Sequence, residues 1–276
     1  MDPITSRPDP YAVASGASTK GVTVGYIQQV IDYPVSTATP VIWNSPAKPP
    51  VQLKVPPTEV AVTPTGVSTG KVVVGLGIRG IETKVPYVWP TPTSDPIFLN
   101  ADLNLVSQVM ISDSGAIVVT ASGGSVPYLY LSYSATPVLL RNPQGAGVGQ
   151  APAMAPDGII VGGSTDATLS GPVFACYWTL TSYSNATALA VPAGATSSIA
   201  LGVSPNHIIC GSYRDASGNE HACVWPTPTS NPVDITNAAG SSAYLGRAEN
   251  VFSDGSIIAV NFAESNPVSK YYLTQK

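Results

Sequence analysis

VWPTPTSDP occupies residues 88–96 and VWPTPTSNP occupies residues 224–232. The copies begin 136 residues apart and differ only at Asp95 and Asn231. A phrase that recurs at this distance calls for a search for internal periods before any other reading. Six segments share an outline of short strand, tight turn and second apolar strand: residues 11–26, 59–76, 109–121, 152–163, 201–212 and 249–260. Each second strand ends near a small residue, at Gly25, Gly75, Thr120, Gly162, Gly211 and Ala259, with steps of 50, 45, 42, 49 and 48 residues.

The turns carry the chemistry that hairpins need. Asp157-Gly158 and Asp254-Gly255 are hairpin signals, and Asp113-Ser114-Gly115 and Asn206-His207 are close variants, because such turns require positive φ. An aromatic third strand follows each hairpin, as PVIW, PYVW, PYLY, FACYW, ACVW and KYYL, and a short fourth strand such as PIFLN or PVDIT follows most of these. Four strands per unit of about 45 residues is the pattern of a β-propeller blade. The expected fold is therefore a single all-β, six-bladed propeller with blades near 11–54, 58–100, 106–141, 150–192, 198–236 and 247–276. The last unit lacks a fourth strand, and residues 2–6 resemble one, so the N-terminal segment is expected to close the ring as its outer strand.

Within this scheme Trp89 and Trp225 fall on equivalent third strands, with Trp43 and Trp178 in two further blades and Tyr130 and Tyr272 in the remaining pair. The expected role of these rings is to fill the wedge between neighbouring sheets, and the following PTPTS ends the strand because Pro cannot donate to a ladder.

Only 10% of the 276 residues are charged, and the net charge is -4 with 12 scattered Lys and Arg, so there is no electrostatic footprint for nucleic acid. No apolar run is long enough to cross a bilayer, and MDPITSRPDP lacks the features of a secretory signal. The expected location is a virion or the cell exterior, with the cytoplasm as the alternative. Cys176, Cys210 and Cys223 are odd in number and lack CxxC spacing, which reads as buried thiols. Cys210 could lie across a strand pair from Cys223.

GSYRDASGNEHACVW, residues 211–225, resembles the motif of the HAF-repeat family, with Gly211, Gly218, His221, Ala222 and Trp225 in place and Cys223 where that family has Phe. Residues 162–178 match at the glycines and Trp178 without the His. The resemblance implies an all-β repeat protein of surface-exposed type and implies no chemistry.

No nucleophile elbow, phosphate loop or calcium loop is present, and the two histidines, His207 and His221, have no catalytic spacing. No cofactor, metal or catalytic residue is expected. Two groups of residues remain as binding candidates. Glu59, Gln108, Gln150, Arg247 and Glu249 should gather near one mouth of a central channel, where paired carboxylates could bind a cation or raise each other's pKa. Asp32, Tyr33, Arg79, Glu82, Lys84, Asp166, Tyr213, Arg214, Asp215 and Glu220 should lie on the loop face, the usual place for recognition on a rigid scaffold. The expected function is a non-catalytic binding or structural propeller whose partner is another protein or a particle surface. A glycan-binding lectin with aromatic pockets between blades and an enzyme using the channel carboxylates are the alternatives.

Overall fold

The computed structural model describes residues 11–32, 35–80, 83–99, 106–121, 126–141, 149–165, 171–238, 244–261 and 269–273. Within these residues the chain is all β, and no helix is long and apolar enough to cross a membrane. Strands β1 (Tyr11–Ala17), β2 (Thr23–Asp32), β3 (Val35–Trp43) and β4 (Val51–Gln52) form one antiparallel sheet in chain order. The same order recurs in β5 (Ala61–Val67), β6 (Val73–Arg79), β7 (Thr83–Trp89) and β8 (Ile97–Phe98), and in β9 (Val106–Ile111), β10 (Ile117–Ala121), β11 (Tyr128–Tyr130) and β12 (Val138–Leu139). It recurs again in β13 (Gly149–Met154), β14 (Ile160–Ser164), β15 (Phe174–Thr179) and β16 (Ser182–Ala188), and in β17 (Ser197–Val203), β18 (Ile209–Arg214), β19 (Glu220–Trp225) and β20 (Val233–Asp234). A sixth sheet consists of β21 (Leu245–Val251), β22 (Ile257–Asn261) and β23 (Ser269–Leu273). Residues 2–6, expected to add its outer strand, lie outside the described residues.

Two compact units divide the chain, one of residues 1–122 with 130–135 and the other of residues 123–129 with 136–276. In the first, Val24, Ile42 and Leu53 of one sheet pack on Val62, Val73, Tyr87 and Trp89 of the next. In the second, Val161, Ala175 and Leu189 pack on Ala200, Ile209, Cys223 and Trp225, while the opposite face of β18 and β19 carries Cys210, Ala222 and Val224 onto Leu245, Ala248 and Ile257. Burial of these apolar faces, at about 25 cal/mol per Å², is the main source of stability in each unit.

One turn closes all six first hairpins. In each, a backbone N–H and a carbonyl bridge positions i and i+4, as from Ser18 to Val22, Ser68 to Val72, Ser112 to Ala116, Ala155 to Ile159, Ser204 to Ile208 and Phe252 to Ser256. The fourth residue of each turn has positive φ: Gly21, Lys71, Gly115, Gly158, His207 and Gly255. Every first-to-second strand pair also carries a β-bulge, for example between Ala14 and Gly16, between Gln150 and Ala153, and between Ala200 and Gly202. The bulge explains the small anchor residues, since a Cβ on Gly162 would stand 1.6 Å from the Gln150 carbonyl oxygen and one on Gly211 2.0 Å from that of Ile199.

The repeated phrase has two parts in space. Trp89 donates its indole N–H to the Lys54 carbonyl at 2.8 Å, and Trp225 donates to that of Ala190 at 2.7 Å. Both acceptors lie 35 residues earlier, just after the last strand of the preceding sheet. Trp178 reaches the Arg141 carbonyl in the same way at 2.7 Å. All three indoles are buried, whereas Trp43 is partly exposed. The TPTS portion folds into a turn, with Ser94 N–H donating to Thr91 O and Ser230 N–H to Thr227 O. The chain then re-enters the sheet, where Leu99 N–H bonds Pro86 O and Ile235 N–H bonds Ala222 O.

The thiols lie apart. Cys176, Cys210 and Cys223 are all buried and free. Cys210 is opposite Val224 and Cys223 opposite Gly211, so the two lie one register step apart and face different core clusters rather than each other.

Candidate functional site

Strands β18 and β19 run past the core and carry a charged end into solvent. Alternation along β18 sends Ser212 and Arg214 to one face and Tyr213 to the other, while Glu220 of β19 stands directly opposite Arg214. The connecting loop is braced by its own first residue. Asp215 accepts from Ser217 N–H at 2.8 Å, Asn219 N–H at 2.9 Å and the Asn219 side-chain amide at 3.0 Å, and Gly218 supplies the positive φ of 86°. Hydrogen bonds from Asn219 and His221 together hold the Asp215 carboxyl well below the usual carboxylate range.

On one face Glu220 gathers three side chains. Its Oε1 accepts from Ser212 Oγ at 2.8 Å, Arg247 Nε at 3.2 Å and the Arg247 terminal nitrogen at 3.1 Å. Arg214 stands 3.8 Å from Oε2, beyond hydrogen-bond range, with a side chain 59% exposed. These groups border a cavity of about 180 Å³ whose remaining wall includes Gln150, Ser197 and Ser198.

On the other face His221 is stacked on Tyr213, with ring centroids 4.8 Å apart and planes 11° from parallel. Its Nε2 lies 3.1 Å from Asp215 Oδ2, and its Nδ1 lies 3.3 Å from Thr236 Oγ1 and 3.7 Å from Asp234 Oδ2. Tyr213 donates its hydroxyl to Asp234 at 2.7 Å. Burial, and then that bond, push the Tyr213 phenol up, so it stays a neutral donor.

The other unit has a smaller cluster. Glu59 Oε1 accepts from Tyr87 at 2.6 Å, from Arg79 Nε at 3.0 Å and from Thr58 at 3.0 Å, with its side chain fully covered. Burial alone would raise this carboxyl, but the hydrogen bonds from Tyr87, Arg79 and Thr58 outweigh it and lower the pKa. Trp43 borders a separate cavity of about 270 Å³ with Ala12, Ala14, Thr23 and Pro46.

The structure thus joins residues that the sequence reading assigned to different places. Gln150 and Arg247, expected at a channel mouth, share a cavity with Tyr213, Arg214 and Glu220, expected on the loop face. Glu59 and Arg79 are likewise paired. Asp215 braces a turn rather than pointing to a ligand. Lys84 is exposed on β7, Gln108 pairs in register with Thr120, and Glu249 lies in the bulged part of β21. The Asp32 side chain, Tyr33, Glu82 and Asp166 lie outside the described residues. Sequence reasoning missed Ser212, Asp234 and Tyr244, whose hydroxyl lies 3.4 Å from His221 Nδ1, and gave both histidines no partner. In fact His207 Nε2 meets Asp157 at 2.6 Å, and His221 is held as above. The HAF-like motif singled out His221, but its partners come from 6 residues before it and 13 after it, which only the folded hairpins bring together. Among the described residues, no group of three His, Cys, Asp or Glu could hold a metal ion.

No family model matches the sequence, and no curated protein does. Solved structures do match along nearly the whole chain. The β-propeller domain of the Trilobed protease from Pyrococcus furiosus aligns with a TM-score of 0.57 at 12% identity, covering 96% of this chain and 82% of that one. YCF48 bound to D1 peptide aligns at 0.54 and 12% identity, covering 96% and 78%, and a putative TolB from Agrobacterium tumefaciens aligns at 0.52 and 13%, covering 97% and 91%. With six successive antiparallel sheets of meander order, these likenesses define the fold as a β-propeller.

Proposed function

We propose that this propeller is a non-catalytic recognition protein that binds another protein through the charged end of the fifth sheet. The observation that carries this reading is the Arg214–Glu220–Arg247 cavity beside the stacked Tyr213–His221 pair, mounted on a loop whose turn is fixed by three hydrogen bonds that the Asp215 carboxylate accepts. A site already ordered before binding loses little entropy on contact, and Tyr and Arg are the residues that carry binding energy at interfaces. The YCF48 structure holds a peptide on the same fold, and the same use is carried to this chain as part of the proposal. The setting assigned to it is the exterior of a particle such as a virion, in keeping with a surface poor in charge and rich in Thr, Ser and Pro.

Selection of a random-peptide phage library on the protein, followed by hydrogen-exchange footprinting, tests the proposal. Bound peptides are expected to protect residues 213–221 and to lose affinity on Arg214→Ala. Binders that footprint only elsewhere would overturn it. A glycan-binding reading has one observation in its favour, the partly exposed indole of Trp43 at its cavity. Hits on a glycan array that vanish on Trp43→Ala would put that reading first.

A further inference from the structure

Resting on that site assignment, we infer that the cavity between Arg214 and Arg247 receives a carboxylate of its protein partner, and that Glu220 occupies part of that position as an internal stand-in. Two guanidinium groups, those of Arg214 and Arg247, border the cavity together with the Glu220 carboxylate. Arg247 already shows the grip, since its Nε and a terminal nitrogen both donate to Glu220 Oε1. Arg214 is differently placed. Its nearest carboxylate oxygen is 3.8 Å away, and among the described residues its guanidinium makes no hydrogen bond, so its fork of donors is open to an arriving anion.

The hydroxyls around it fit the same ligand. Ser197, opposite Arg214 in register, and Gln150 add donors on the wall. Size selects the class of occupant. A drug-sized molecule or cofactor fills about 300 to 1,000 Å³. This cavity of about 180 Å³ admits a single side chain or a chain terminus, with the rest of the partner lying across Tyr213 and the 215–219 turn. The turn cannot swing a competing acid into the cavity, because the Asp215 carboxylate is spent on Ser217, Asn219 and His221.

The carboxylate could come from an acidic side chain or from a peptide C-terminus, and three synthetic probes separate these. They are the doubly blocked peptide GSESG, with only a side-chain acid; GSQSG blocked at its N-terminus alone, with only a terminal acid; and doubly blocked GSQSG, with neither. Each is titrated into the nitrogen-15-labelled protein while the arginine Nε–H resonances are followed. Saturable movement of the Arg214 and Arg247 signals is expected with one or both acidic probes and not with the neutral one. Arg214→Gln should weaken the response by about tenfold or more, the loss typical of a charge-assisted pair. Glu220→Gln should do the reverse and tighten binding by about tenfold, because it removes the resident competitor. A binding surface that merely tolerates peptides would show neither sign. Equal movement with the neutral peptide, or affinities unchanged in both variants, overturns the inference. Phage-selected peptides that protect residues 213–221 but lack acids and still bind Arg214→Gln would sink the carboxylate while leaving protein recognition in place. A footprint absent from this end would sink both.

Discussion

Lys71 has a φ of 65°, in the left-handed region that a side chain makes costly, while four of the other five equivalent turn positions hold Gly. The neighbouring turn reads Lys20-Gly21 and this one Gly70-Lys71, so the glycine sits one place too early to relieve the strain. Left-handed backbone costs an L-residue about 1–2 kcal/mol, and glycine returns part of that as chain entropy. Lys71→Gly is therefore expected to stabilise the protein by about 1 kcal/mol, read as an upward shift of the urea-unfolding midpoint. His207 is the second exception, and its ring explains why it is kept: it reaches Asp157 across neighbouring turns. The Asp-Gly turns were legible from sequence because composition encodes positive φ there. The turn at Asn206-His207 was read too, but not that His207 would carry the positive φ, and Lys71 was not read, since nothing in those side chains announces the backbone they adopt.

At the scale of elements, the hairpins, the aromatic third strands and the short fourth strands could be read from spacing and turn residues, because each is a local pattern. The bulges could not, since a bulge is a property of how two strands pair and leaves no mark in either alone. Their trace was present all the same as the small anchor residue in each second strand. Gly162→Ala tests this: with a Cβ 1.6 Å from the Gln150 carbonyl, the strand pair must shift, and a loss of about 1–3 kcal/mol is expected in denaturant unfolding. Alanine without effect would mean that the bulged strand yields freely. The candidate site shows the same limit of sequence reading. Arg214 and Glu220 were grouped on the loop face and stand opposite each other on β18 and β19, but Arg247 comes from the next sheet, 27 residues beyond Glu220, and its reach across depends on packing between sheets.

For the whole molecule, acid is the condition that acts on many places at once. Asp215, Asp234 and Asp254 sit below their ordinary value of 3.8, and Glu59 sits below 4.5. Each binds protons less readily when folded than when unfolded, so the stability it adds is present above the ordinary value and drains away as pH falls toward the folded one. Unfolding midpoints should hold steady near neutrality and drop below about pH 4. Asp215→Asn should flatten the drop, and an acid limb of unchanged slope in that variant would exclude Asp215 as a contributor. The thiols add nothing to this titration, because burial pushes Cys176 and Cys210 up to about 12.

The indole tethers carry a consequence for how such a chain is made. Each reaches back about three dozen residues to the strand synthesised just before its own sheet. During translation, a finished paddle can thus be latched as soon as the next one leaves the ribosome, without waiting for the distant end of the polypeptide. Assembly becomes a series of near-neighbour closures, and a faulty latch exposes only the two adjoining sheets.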